Sequence, residues 1–184
     1  MSCNKQLLSF FMRYSILCAM LATLAACSSP PPIQTAQAVD LERFMGDWYV
    51  IANIPTWIEQ DAHNAMESYR LAEDGSVATT FRFRKGGFEG DLKTFHPTGY
   101  ILDRKSNAIW GMQFIWPIQA DYRIVFVDES YSRTVIGRTA RDYVWLMART
   151  PDIPDGDYQQ LLRLVAREGY DVSKVRKVPQ RWTH

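Results

Sequence analysis

From residue 46 to residue 151 the chain alternates apolar and polar side chains with a period of two, halts at turn residues and resumes, eight times in succession. Period-two patterning marks a strand with one buried face. Eight such strands joined mostly by short connections must also dispose of their unpaired edges. In the first run, entered through Phe44-Met45-Gly46-Asp47, Trp48, Val50, Ala52 and Ile54 share one face. Residues 56–64, which include Trp57 and Ile58, are too long for a tight hairpin and lead to the second run, 65–71. After Glu73-Asp74-Gly75 the third run, 76–84, sets Val77, Thr79, Phe81 and Phe83 against Arg82 and Arg84, an inside and an outside. The fourth run breaks at Pro97 and resumes over 99–102, which calls for a bulge or a free edge there. In the fifth, 108–116, Trp110, Met112 and Phe114 alternate with Gly111 and Gln113 until Pro117 ends it. The sixth, seventh and eighth runs are 121–127, 132–139 and 142–149, the last with Tyr143, Trp145 and Met147 on one parity.

An all-β, eight-stranded antiparallel up-and-down barrel answers this pattern, because closure removes every edge and eight strands enclose room for one small ligand. A two-sheet sandwich satisfies the periodicity equally well. Beyond the strands, Pro154-Asp155-Gly156-Asp157 places acids at the start of a helix, whose Tyr158, Leu161, Leu162 and Val165 make an apolar stripe before Gly169 stops it. The stripe is expected to pack on the outside of the barrel.

The first 26 residues have the form of an export signal: Lys5 and Arg13 in front, an apolar run over 14–24, and small residues in Leu24-Ala25-Ala26-Cys27. That run of about 11 uncharged residues is short of the roughly 20 that span a bilayer. Its end resembles the lipobox of bacterial lipoproteins, which implies lipid attachment at Cys27 as the mature N-terminus. Ser28, rather than Asp, then implies the outer membrane, with the chain facing the periplasm. Cys3 and Cys18 leave with the signal, so no pair remains for a disulfide or a metal site. Loss of Lys5 and Arg13 takes the formal charge from +1 to −1, a balance that argues against nucleic acid as a partner. Residues 27–39, with three consecutive prolines, read as acylated terminus and flexible tether, and 40–184 as one barrel domain with its helix and tail.

Three stretches carry a resemblance to the bacterial lipocalin family. Gly46-Asp47-Trp48-Tyr49 resembles the family's first-strand motif, Asp128-Glu129-Ser130-Tyr131 its turn before the seventh strand, and residues 143–151 its eighth strand with the terminal Arg149. Their order favours the barrel over the sandwich. The resemblance implies that Gly46, Trp48 and Arg149 close one end of the barrel, the guanidinium packing over the indole. It also implies a ligand class of fatty acids, lysophospholipids or similar amphiphiles, and no cofactor.

On the inferred inner face stand Tyr69, Phe81, Phe83, Trp110, Phe114, Tyr122, Phe126, Trp145 and Met147, which either fill a core or line a pocket for acyl chains. Family parity also turns Glu67 inward, to meet a cationic head group, unless the register there is out by one residue. No enzyme or metal-binding motif is present, and His63, His96 and His184 are scattered, each expected in solvent. Three readings follow: a membrane-anchored carrier or store of lipophilic ligands, an enzyme on the same scaffold, or a structural lipoprotein with a filled barrel. An interior of several hundred Å³ separates the first from the third. The open rim, with Trp57, Ile58, Phe88, Trp116 and Ile118 near Lys85 and Arg141, either touches membrane or folds over the pocket. The tether is expected to join at the opposite, closed end.

Overall fold

A computed structural model describes residues 31–182, and the signal segment, Cys27 and His184 lie outside the described residues. The chain divides into two units at Ile33, and the fold below is that of the second. It opens with a one-turn helix, α1 (Leu41–Phe44), where the sequence pattern predicts only a turn. Asp40 caps it by accepting from the Arg43 amide.

Ten strands follow: β1 (Gly46–Ile54), β2 (Ala62–Leu71), β3 (Val77–Lys85), β4 (Leu92–Phe95), β5 (Thr98–Ile101), β6 (Ile109–Ile115), β7 (Ile118–Val127), β8 (Arg133–Gly137), β9 (Val144–Ala148) and the two-residue β10 (Arg176–Lys177). Strands β4 and β5 are the two halves of the run that Pro97 interrupts, both pairing with β3. Pairing runs antiparallel from β1 through β9, and β9 returns to β1, so the eight-stranded barrel is closed. Helix α2 (Asp155–Arg167) then lies outside it, burying Tyr158, Leu161 and Val165. Gly169, at φ +87°, takes the left-handed conformation that ends the helix.

Two separate apolar clusters result. The barrel interior holds Phe44, Trp48, Val50, Tyr69, Phe81, Phe83, Trp110, Tyr122, Ile124 and Met147 among others. The seam between barrel wall and α2 holds Ile51, Ala52, Ile54, Val125, Leu146, Leu161 and Val165.

Bulges correct the predicted parity at two places. The β1–β9 register slips between Val50 and Ala52, so Trp48 and Val50 point inward while Ala52 and Ile54 turn out into the seam. The β7–β8 register slips between Ile124 and Phe126, so Phe126 also packs in the seam rather than on the inner face. An inserted residue reverses every side chain beyond it, which strict alternation does not foresee.

The flexible-tether reading of residues 27–39 also needs correction from Ile33 onward. Ile33 and Val39 are buried. The Gln34 amide donates to the Glu168 carboxylate (2.9 Å), the Ala36 amide to the Ile124 carbonyl (2.9 Å) and the Val39 amide to the Ser106 carbonyl (2.8 Å). Two apolar side chains and three backbone donors fix the segment on the barrel wall, where proline content alone suggests a free linker.

Candidate functional site

One end of the barrel is sealed from the sequence upward. Phe44, delivered by α1, stands within 5.2–5.7 Å of the rings of Trp48, Tyr69 and Trp110. The Trp48 indole N–H donates to the Phe44 carbonyl at 2.8 Å, and the Arg149 guanidinium lies 3.8 Å from the indole centroid. Arg149 also donates to the carbonyls of Arg43, Phe44, Met45, Asp47 and Tyr131, tying α1, β1 and the β7–β8 turn together. Gly46, at φ +92°, lets the chain enter β1 with the Arg149 Nη1 3.4 Å from where a Cβ would stand.

Above this plug lies a polar floor. Trp48 faces Glu67 across β1–β2, and Glu67 faces Phe81 across β2–β3, so Glu67 points inward and the register is as family parity implies. Its side chain is buried, with the residue only 8% exposed. The Tyr69 hydroxyl donates to Glu67, and the Tyr122 hydroxyl lies 2.5 Å from that of Tyr69. Burial pushes the Glu67 carboxyl up to about 7, against the opposing Tyr69 hydrogen bond and with a small addition from Glu59. Burial, together with the nearby Glu67 charge, holds Tyr69 and Tyr122 well above the usual phenol range. Trp110 backs the floor, stacked on Tyr122 at 5.4 Å, its indole N–H donating to the Asn107 carbonyl.

From the floor to the rim runs a cavity of about 490 Å³, walled by Thr79, Phe81, Phe95, Met112, Phe114 and Trp145, with Trp57, Ile58 and Tyr143 toward its mouth. Of the predicted ligand residues, Glu67, Phe81, Phe114, Tyr122 and Trp145 line it. Tyr69 stands behind Glu67, while Phe83, Trp110 and Met147 are packed into the surrounding core. Phe126 instead borders an external groove between β8 and α2, beside Arg133 and Asp157.

Sequence reasoning missed Glu59. The loop before β2 folds it into the mouth, where its carboxylate accepts from the Trp145 indole (2.7 Å), Asn53 (3.3 Å), and both the amide and hydroxyl of Thr56. A buried indole N–H needs an acceptor, and that requirement on Trp145 is the one trace of Glu59 in the sequence. Arg138, just past β8, also lines the cavity; its Nη1 pairs with Asp142 at 3.2 Å, while its Nε is buried without a hydrogen-bond partner. His96, expected in solvent, is exposed at the cavity edge and hydrogen-bonded to Thr80. Among the described residues no cluster of three or more His, Cys, Asp or Glu side chains is placed to hold a metal ion.

A family model for the lipocalin-like domain matches residues 39–180, spanning α1, all ten strands and α2. The chain belongs to this lipocalin family. The similar proteins include the outer membrane lipoprotein Blc of Citrobacter freundii, 30% identical over 85% of this chain and 90% of that one, and temperature-induced lipocalin-1 of Arabidopsis thaliana, 29% identical over 80% and 83%. Among solved structures, insecticyanin of the tobacco hornworm superposes with a TM-score of 0.66 at 12% identity, covering 86% of this chain and 88% of that one. As a lipocalin, the chain is a binding protein for lipophilic molecules in the general sense of its family, with a cavity of matching character.

Proposed function

We propose that this lipocalin is anchored in the bacterial outer membrane through lipid on Cys27. There it holds a single-chain amphiphile, a fatty acid or a lysophospholipid, for storage or transfer without altering it. The observation that carries the reading is the cavity itself: about 490 Å³, apolar along its walls and open at one end only. An interior of that size speaks against the filled-barrel alternative. Catalysis has little to work with, since Glu67 is engaged by Tyr69, and Glu59 by Trp145, Asn53 and Thr56. The envelope location and the lipid anchor draw on the Leu24-Ala25-Ala26-Cys27 site and on relatives named as outer membrane lipoproteins.

The distribution of charge in the cavity favours one orientation. The deep polar group is an acid that burial keeps largely protonated below pH 7, which an acyl chain can approach without facing a fixed charge. At the mouth, the Arg138 guanidinium borders the cavity, with its Nη1 paired to Asp142. The carboxylate or phosphate of an amphiphile is therefore seated toward Arg138 with the chain directed to the Glu67 floor. Native mass spectrometry of protein extracted from its own membrane tests this reading. A co-purifying acyl lipid of one chain is expected, and recovery of empty protein together with no uptake of palmitate or lysophospholipid overturns it.

A further inference from the structure

The mouth of the barrel carries the largest side chains left bare. Trp57 is 80% exposed, Trp116 82%, Ile115 72%, Ile118 69% and Phe114 51%. Trp57 stands on the loop between β1 and β2, and the other four on the β6–β7 hairpin, where Ile115 and Ile118 pair directly beneath the turn that holds Trp116. Trp57, Phe114 and Ile115 all border the one cavity, so the two loops flank the same opening. Exposed apolar surface on this scale around a pocket marks a contact surface. Aromatic residues that hold both an apolar body and an N–H suit the boundary between acyl chains and water.

A second observation, independent of the first, comes from the segment that leads into the barrel. Ile33 packs beside Gly137, the last residue of β8, and the Gln34 amide bonds to Glu168, whose carbonyl accepts from Arg141 on the β8–β9 loop. Both partners sit at the mouth end of the wall. From there the segment descends past Ile124 to Ser106, on the β5–β6 loop at the sealed end. The expected attachment at the closed end is thus reversed, because the lead-in runs the length of the wall before α1 begins. From Cys27 to Ile33 is a span of about 20 Å at full extension, while a ten-residue strand alone covers about 33 Å. Ile33, six residues after Cys27 in the sequence, thus stands at the mouth end of the barrel wall.

We propose that the mouth of the barrel docks onto the surface of the lipid bilayer. Trp57 and the Trp116 hairpin enter the interface, so that ligand passes between leaflet and cavity without crossing water. The charges bordering this rim are of both signs, with Lys85 and Arg138 against Asp61, Glu89 and Asp91, so insertion is apolar and indifferent to salt. The orientation of the anchored protein rests on the reading of Cys27 in the preceding section, whereas the docking surface itself does not.

The test uses the chain without residues 1–27, which keeps the whole unit from Ile33 with both of its apolar clusters. Vesicles of phosphatidylethanolamine and phosphatidylglycerol are titrated at low and high salt, alongside a lysophospholipid below its micelle concentration. Saturable vesicle binding that survives salt is expected. Trp116→Ser with Ile118→Ser, neither of which lines the cavity, should weaken it on the order of tenfold or more, with lysolipid affinity unchanged. Vesicle binding that disappears in salt, or that the double substitution leaves intact, overturns the proposal. So does a parallel loss of lysolipid affinity, which assigns both side chains to the pocket, and so does self-association through Trp116 without vesicle uptake. A parent chain that binds vesicles but no amphiphile supports the docking surface while removing the proposed function.

Discussion

Replacing Glu67 by Gln isolates the energetic cost of the polar floor. The substitution keeps the shape and leaves an acceptor for the Tyr69 hydroxyl, but removes the charge that burial opposes. In the folded protein the carboxyl titrates at about 7, against an ordinary value of 4.5. Between those limits the folded state holds a proton that the unfolded chain has released, so stability falls as pH rises through this window and levels off above about 7. Each pKa unit corresponds to 1.36 kcal/mol. From pH 5 to pH 8 the wild-type protein should therefore lose about 2 to 3 kcal/mol that the Gln variant does not lose. Urea melts of delipidated protein at both pH values, compared as the difference between the two chains, cancel the titration of every other group. The variant should be close to wild type at pH 5 and clearly more stable at pH 8. Parallel pH profiles of the two chains would falsify the claim that this acid is held in a dry floor, and so would a wild-type protein that gains stability relative to the variant as pH rises.

Trp48→Ala should cost roughly 3–5 kcal/mol in denaturant melts, because it opens the plug under Phe44 and Arg149. Trp145→Ala should mainly weaken ligand binding, and the reverse ranking would contradict the assignment of sealed and open ends. Arg138→Gln should lower affinity for palmitate by about tenfold, the worth of a hydrogen bond to a charged group, and leave an uncharged monoacylglycerol unaffected in the same fluorescence titration. Cys27→Ala should leave unprocessed precursor in the membrane fraction, and normal maturation of that variant would count against lipid attachment there.

The strands and the outer helix were legible because each depends on local spacing, whereas closure into a barrel was favoured only by the order of the three family-like stretches. The indole and guanidinium at the ends of β1 and β9 also announced themselves by motif. What spacing cannot show is a residue added to one strand only. At Ile51 and Val125 such bulges turned Ala52, Ile54 and Phe126 outward, although all three fall on the inward parity by counting. Glu59 escaped for a different reason. It sits in a loop, its partners Asn53, Thr56 and Trp145 come from both sides of that loop, and only the folded chain brings them together. Half of the ten predicted ligand residues line the cavity, while Phe83, Trp110 and Met147 are packed into the core around it. Residues 33–39 misled by composition, since prolines next to a buried Ile33 mark a fixed extended segment as readily as a loose one.

The bulges that displaced Phe126 and Ala52 have a bearing on how such a protein can change. A barrel emptied at its centre gives up contacts across its middle, and each enlargement of the pocket erodes stability further. By sending part of β1 and β7 outward, the two inserted residues furnish a second packed region beneath α2 that shares no side chain with the ligand chamber. Substitutions in the chamber can then alter what it holds while the rigidity of the wall is supplied from behind. Substitutions in the outer seam should instead be felt as loss of fold with selectivity intact. Divergence of ligand preference along a lineage is thereby decoupled from divergence of the scaffold.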